Sequence, residues 1–237
     1  MATRFYFSST ATTDITPAYA AWNTSSDALR REMNETKDSS AMGNHTFFAN
    51  KPIAAASHTL VRQYVSVPLA SGIAYVSGST TVKCYIRAME SGTNDNINRQ
   101  PICVKVYSQD GTTLQATLLA LGHRGPNTTE WNTSLRSKTW ADADIITTSY
   151  TTVTGDRLVV EVGAQVSSAG GTTTTGTLSF GANSVTDIGE NETTTAANNP
   201  WFEISVTSNP PPSPSITPSI TPSITPTTSI TPSETPS

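Results

Sequence analysis

The sequence predicts an all-β fold, an antiparallel β-sandwich of jelly-roll type with an extended N-terminal arm and a disordered, polyproline-like C-terminal tail. Three observations predict it. Thr80–Met89, Pro101–Ser108 and Arg157–Val166 alternate apolar and polar residues with period two, the pattern of a strand with two unlike faces. Turn signals at Gln109-Asp110-Gly111 and Thr154-Gly155-Asp156 separate such runs at short spacing, with no crossover helices between them. Charged residues make up only 14% of the chain, against a typical ~25%. Threonine and serine take their place, and the branched Cβ of threonine suits a pleated surface.

The elements follow in order. Residues 1–58 read as an extended arm, with a short strand at Arg4–Ser8 and a turn at Thr16-Pro17. Asp27–Lys37 is the most helix-like run of the chain, with Ser25 or Ser26 as its N-cap. The β domain spans 59–208. Thr59–Pro68 carries Leu60, Val61, Tyr64, Val65 and Val67. Thr80–Met89 sets Val82, Cys84, Ile86 and Ala88 on one face, and Pro101–Ser108 sets Ile102, Val104 and Val106 on one face. Thr112–Leu121, the threonine-rich Ile145–Val153, Arg157–Val166, Gly176–Ala182 and Trp201–Thr207 complete about eight strands.

Beyond Asn209 the composition changes to a Pro-Ser-Ile-Thr repeat with one charged residue, Glu234. Residues 209–237 cannot bury a core. Proline at every fourth position favours polyproline II, with a rise of ~3.1 Å per residue. The segment reads as a spacer, or as a stalk with O-linked sugars on Ser215, Thr217, Ser219, Thr221, Ser223 and Thr225.

The 237 residues suffice for one large β domain or two small ones. A net charge of −4 with no basic block argues against nucleic acid and against an anionic membrane as partners. No stretch approaches the ~18 apolar residues of a membrane-spanning helix. The opening Met-Ala-Thr-Arg-Phe-Tyr-Phe lacks the basic and apolar regions of a secretory signal, so the expectation is cytoplasmic synthesis and assembly or a leader outside this sequence. Cys84 and Cys103 fall out of register with each other, which directs their thiols to opposite faces and leaves them free.

Catalysis is not expected. His45, His58 and His123 lie outside any nucleophile signature, and the strand-borne Glu161 and Glu203 sit on faces that read as solvated. No cofactor is expected. Calcium is the one metal the loops suit, with Asp95, Asp187 and Glu190 as candidate ligands. Trp131 and Trp140 are candidates for stacking on sugar rings. Six Asn-x-Ser/Thr triplets, at Asn23, Asn34, Asn44, Asn127, Asn132 and Asn191, arise readily in so threonine-rich a chain.

The run MATRFYFSST…DITPAYAAWNTSSDALRREMNETK, with GDRLVVEVG (Gly155–Gly163) and NPWFEISV (Asn199–Val206), resembles uncharacterised structural proteins of tailed bacteriophages and phage-like metagenomic sequences. The resemblance covers most of residues 1–207 and implies a virion or filament component, with no activity to carry over. The arm fits that role independently. It holds Phe5, Tyr6, Phe7, Tyr19, Trp22, Phe47 and Phe48, too many aromatics for a solvated tail. They are expected to dock either on their own sandwich or on the next subunit, and docking on the sheet edge of a neighbour would build a homo-oligomer or filament. The expected function is a self-assembling structural subunit, virion-borne or extracellular. The alternative is a carbohydrate-binding or adhesin module.

Overall fold

The computed structural model describes residues 2–37, 41–51, 56–122, 130–139, 144–167, 173–181, 183, 185–190 and 192–206. They form strands and no helix: β1 (Thr3–Phe7), β2 (Thr24–Asn34), β3 (Gly43–Asn50), β4 (Ser57–Ser66), β5 (Ala74–Tyr75), β6 (Thr81–Glu90), β7 (Ile97–Arg99), β8 (Ile102–Tyr107), β9 (Leu114–Leu119), β10 (Arg136–Thr139), β11 (Asp144–Ile145), β12 (Tyr150–Thr151), β13 (Arg157–Val166), β14 (Thr173–Phe180) and β15 (Trp201–Ile204). The all-β expectation holds. The tail, His123, Asn127, Trp140 and Asn191 lie outside the described residues.

Thirteen strands form one mixed sheet in the order β3-β14-β6-β15-β1-β2-β4-β13-β8-β9, with β10 and β11 on β6 and β7 on β13. β5 and β12 pair separately. The sheet forks at β6. Tyr85 pairs with Trp201 and with Thr139, and Arg87 pairs with Ser179 and with Ser137. A strand residue has one neighbour on each edge, so β15 and β14 follow one another along the same edge of β6 and lead into two branches. Across the gap between the branches, Phe180 of β14 meets Phe7 of β1 at 5.8 Å and Tyr64 of β4 at 5.2 Å between ring centroids. One continuous core takes Phe5, Phe7, Met33, Phe47, Ile86, Val160 and Phe202 from both branches. Burial of each such side chain contributes on the order of 1.5–3 kcal/mol.

Several expectations are corrected. Strands β1, β2 and β3, within the segment read as an extended arm, are built into the chain's own sheet. β1 lies between β15 and β2, pairing Thr3–Tyr6 with Ile204–Trp201 and Tyr6 and Phe7 with Asn34 and Met33. The helix-like Asp27–Lys37 runs through β2, a strand paired parallel to β4. Its helix propensity amounts to tenths of a kcal/mol per residue, and ladder pairing plus complete burial of Met33 outweigh that. The parallel pairing of β2 with β4 makes the sheet mixed rather than antiparallel throughout. Ile145–Val153 is not one strand, because residues 146–149 between β11 and β12 are in no strand. Cys84 and Cys103 are free, as expected, and both are buried. Their strands are not neighbours, since β6 and β8 stand on opposite sides of the path from β15 to β13.

Candidate functional site

Between β1 and β2 the chain crosses the outer face of β4, β13 and β8 as a strap, residues 9–23. Sequence explains why it stays there. β13 alternates Leu158, Val160 and Val162 into the main core, which sends Val159 and Glu161 outward. Val159 joins Val65 and Tyr107 in a second apolar patch, and Ile15 of the strap covers it. Arg157, at the start of β13, holds Asp14 through two guanidinium hydrogen bonds of 2.7 and 3.1 Å. Its Nε donates to the Ser66 carbonyl.

Beneath the strap lies a buried ion pair. Lys105 Nζ donates to Glu161 Oε1 at 2.6 Å, with Glu161 fully buried and Lys105 3% exposed. Glu161 also accepts from Gln63 Nε2 at 2.9 Å, Trp22 Nε1 at 2.6 Å and the Ala20 amide. Lys105 and Tyr107 both donate to the Ala18 carbonyl. Arg30 donates to Gln63 Oε1 and the Pro17 carbonyl, and its guanidinium stands 4.2 Å over the Tyr19 ring. Every strong donor and acceptor here is matched, the condition under which a buried pair is tolerated. Gly163 completes the fit. A Cβ there would lie 2.3 Å from both the Trp22 ring and the Thr59 carbonyl oxygen.

Glu161, expected on a solvated face, is therefore the acceptor that ties the strap down. The signal was present in the sequence, where Lys105 interrupts Val104 and Val106 and Glu161 interrupts Val160 and Val162. Two lone, opposite charges in apolar strands point to a shared buried pair. Glu203 instead meets Arg4 at 3.0 Å. Arg4 also bonds Asp187 and stands 3.8 Å over Trp201, which stacks on Tyr85 at 4.3 Å.

The aromatics expected to reach a neighbouring subunit divide. Phe5, Phe7 and Phe47 are in the chain's own core, which corrects their assignment as assembly contacts. Tyr6, Tyr19 and Trp22 are half-buried, with Lys37 5.4 Å over the Tyr6 ring, Arg30 over the Tyr19 ring and Trp22 bonded to Glu161. Only Phe48 is freely exposed, at 65%. Trp131 is also removed as a sugar platform. It is 4% exposed and meets Phe47 edge-on at 6.2 Å.

The calcium candidates are engaged by protein groups. Asp187 takes Arg4, Lys37 and the Tyr6 hydroxyl, and Glu190 takes Lys83. Asp95 caps its own turn, accepting from the Ser91 and Gly92 amides and the Ser91 hydroxyl. Among the described residues no group of three His, Cys, Asp or Glu side chains is placed to hold a metal ion.

Sequence reasoning also missed Glu90. It is 1% exposed at the end of β6 and accepts the Ile97 amide at 3.1 Å. Burial, with the nearby Glu130 and Asp95 charges adding to it and the Ile97 amide opposing it, pushes its carboxyl up to about 7.

Phe48 lies on β3, which ends the sheet path. Among the described residues β14 is the only strand paired with β3, and its other edge has no ladder partner. Asn44, Thr46, Phe48 and Asn50 are exposed on its outer face, while Phe47 and Ala49 enter the core. No residue of β3 carries a formal charge at neutral pH with its histidine neutral, and none is proline. No protein-family model matches the chain, and no curated protein matches it.

Proposed function

We propose that this protein is a non-catalytic structural subunit, a jelly-roll-like sandwich that self-assembles through an open sheet edge into a virion appendage or extracellular fibril. Residues 209–237 act as its projecting, O-glycosylated spacer. The observation that carries the reading is the state of β3, a long strand without Asp, Glu, Lys or Arg whose second edge has no ladder partner among the described residues, with Phe48 exposed beside it. Proteins that stay monomeric protect such edges with charge, proline or cover. The facing of the two branches across one core supports the sandwich architecture, and the resemblance to phage structural proteins supports the setting. The role first assigned to a free arm passes to the sheet edge, because β1 is built into the subunit's own sheet.

Sedimentation velocity and negative-stain microscopy of the full chain across a hundredfold concentration range test the reading. Discrete oligomers or fibrils are expected. A single monomeric species throughout would end it. Intact mass of native material checks the spacer, with hexose-sized increments expected on the tail.

A second reading, a saccharide-binding module, rests on a different observation. A cleft of about 210 Å³ is lined by Tyr19, Trp22, Asn23, Thr24 and Ser25, the mix of aromatic rings and short polar side chains that holds sugars. Binding on a glycan array, lost in Tyr19→Ala, would favour it.

A further inference from the structure

We propose that a cavity at the mouth of the gap between the two branches is a binding site for a small oxyanion, held by the Arg62 guanidinium and the Tyr64 hydroxyl. The site goes beyond the assembly reading and does not depend on it.

Strand register builds the site. On β4, Arg62 lies opposite Val162 and Tyr64 opposite Val160 of β13. Both valines belong to the main core, and directly paired strand residues share a face. Arg62 therefore occupies a core-facing position of its strand. Arg31 of β2 pairs with Tyr64 from the other side, and its Nε donates to the Ser9 carbonyl. The cavity, about 70 Å³, lies between β4, the start of β3 and the end of β14. Ser9, Asn44 and His45 join Arg62 and Tyr64 around it, with Phe180 as an apolar wall. One water needs ~10–15 Å³ of such space, so a group of several heavy atoms fits.

Two polar atoms of the lining residues, Arg62 Nη1 and the Tyr64 hydroxyl, are buried and find no hydrogen-bond partner in the protein. Such atoms point to a bound water or ion. The Tyr64 ring is fully buried and fixed between Phe7 at 4.4 Å and Phe180 at 5.2 Å, so its hydroxyl cannot swing away to another acceptor. Burial pushes that hydroxyl far above the ordinary tyrosine range, which keeps it a donor at neutral pH. Arg62 Nη2 lies 3.1 Å from His45 Nδ1. A guanidinium only donates, so the imidazole nitrogen accepts there. That bond anchors one arm of the fork and leaves Nη1 for a further acceptor.

Charge decides between a water and an anion. Arg4, Arg157 and Lys105 each meet a carboxylate. Among the described residues no carboxylate pairs with Arg62, and Arg31 is near enough to oppose its charge. Arginine stays protonated at any ordinary pH. The site thus holds positive charge and two unmatched donors, and an oxyanion answers both at once through charge-assisted hydrogen bonds. A water answers only the geometry, and a cation is repelled.

The test titrates the full chain with sodium phosphate, sulfate or acetate at constant ionic strength, chloride making up the balance. Saturable one-to-one binding is expected in calorimetry, with a matching rise in thermal midpoint. Arg62→Gln removes the charge and the fork and is expected to weaken binding by about tenfold or more. Tyr64→Phe keeps the packed ring and removes only the donor, so it should weaken binding by a smaller factor without lowering the midpoint in chloride alone. Should a variant fold poorly, the arginine side-chain NMR resonances of the unsubstituted protein still report the site, and one of them should move with the titration. Phosphate and sulfate binding ahead of acetate would assign a tetrahedral anion, and the reverse order a carboxylate. No saturable binding of any of the three beyond the effect of chloride overturns the site and leaves the cavity to water. Binding that survives both substitutions places the anion elsewhere and overturns it equally.

Discussion

The Trp22 indole N–H and the Ala20 amide, from a segment with no regular secondary structure, reach the same carboxylate, Glu161, with Trp22 at 2.6 Å. An irregular strap is thereby tied to the sheet beneath it by a buried acceptor, which Lys105 neutralises. Removing one partner of such a pair leaves an uncompensated buried charge, at a cost of about 3–5 kcal/mol. Lys105→Met and Glu161→Ala are each expected to lower stability by that order in urea unfolding. The double variant should cost clearly less than the sum of the two. Strict additivity would mean that the pair is not coupled.

Phe7 and Phe48 separate a core role from a surface role. Phe7 is fully buried and meets Tyr64 at 4.4 Å, whereas Phe48 is 65% exposed. Phe7→Ala should destabilise the subunit by about 3–5 kcal/mol, and Phe48→Ala should leave it within about 0.5 kcal/mol of the parent at low concentration. Were β1 an arm docked on a neighbour, Phe7→Ala would instead weaken association and leave the subunit's stability intact. Chemical denaturation of both variants at a concentration that keeps the chain monomeric decides between these outcomes.

Much of the fold was legible because period-two alternation survives wherever one face is buried and the other polar. β6 and β13 fall within a residue of their expected bounds for this reason. β2 was not legible as a strand. Its arginines and glutamate look helical, and their strand-compatible acceptors, the Pro17 and Ser9 carbonyls and Gln63, are distant in sequence or supplied by the strap. β3 was passed over because Phe47 and Phe48 sit side by side, which hides the fact that one enters the core and the other faces solvent. At the strap, local sequence identified Trp22 and Glu161 separately. Their meeting depends on β13 lying between β4 and β8, a matter of topology that no local pattern encodes.

Gly163 is expected to be intolerant of any side chain. The Thr59 carbonyl and the Trp22 ring occupy the space a Cβ would need, so Gly163→Ala should destabilise by roughly 1–3 kcal/mol as an overpacked site does. Trp22→Ala in the same chain removes only one of the two obstacles. The double variant should therefore remain less stable than Trp22→Ala alone, by thermal unfolding. Equal midpoints would mean that the backbone at Thr59 yields freely.

Cys84 and Cys103 should be silent to thiol reagents in the folded chain. Burial pushes each thiol up to about 12, with the Glu161 charge adding to the effect at Cys103. The thiolate, the reactive form, is then scarce at neutral pH as well as inaccessible. A chromogenic disulfide reagent should report no thiols before denaturant is added and two after it. Rapid labelling of one thiol in native buffer would place an opening near β6 or β8.

Glu90 should make stability fall as the solution turns from mildly acidic to neutral. Its carboxyl titrates near 7 in the fold, raised by burial, and near 4.3 in an unfolded chain. Between those values the folded state binds the extra proton, so the contribution is fully present below the unfolded value and is lost as pH rises through about 7. Asp187 opposes this trend only at lower pH. Its burial is outweighed by hydrogen bonds from Lys37, Arg4 and Tyr6, which hold it below the ordinary range. Its contribution therefore fades as acid is added. The expected profile is a maximum in the mildly acidic range, with a decline toward neutrality. Glu90→Gln keeps the acceptor for the Ile97 amide and carries no titrating proton, so it should flatten the decline between pH ~5 and ~7.5. Thermal midpoints collected across that range check it, and a decline that persists unchanged in Glu90→Gln would assign the effect to another group.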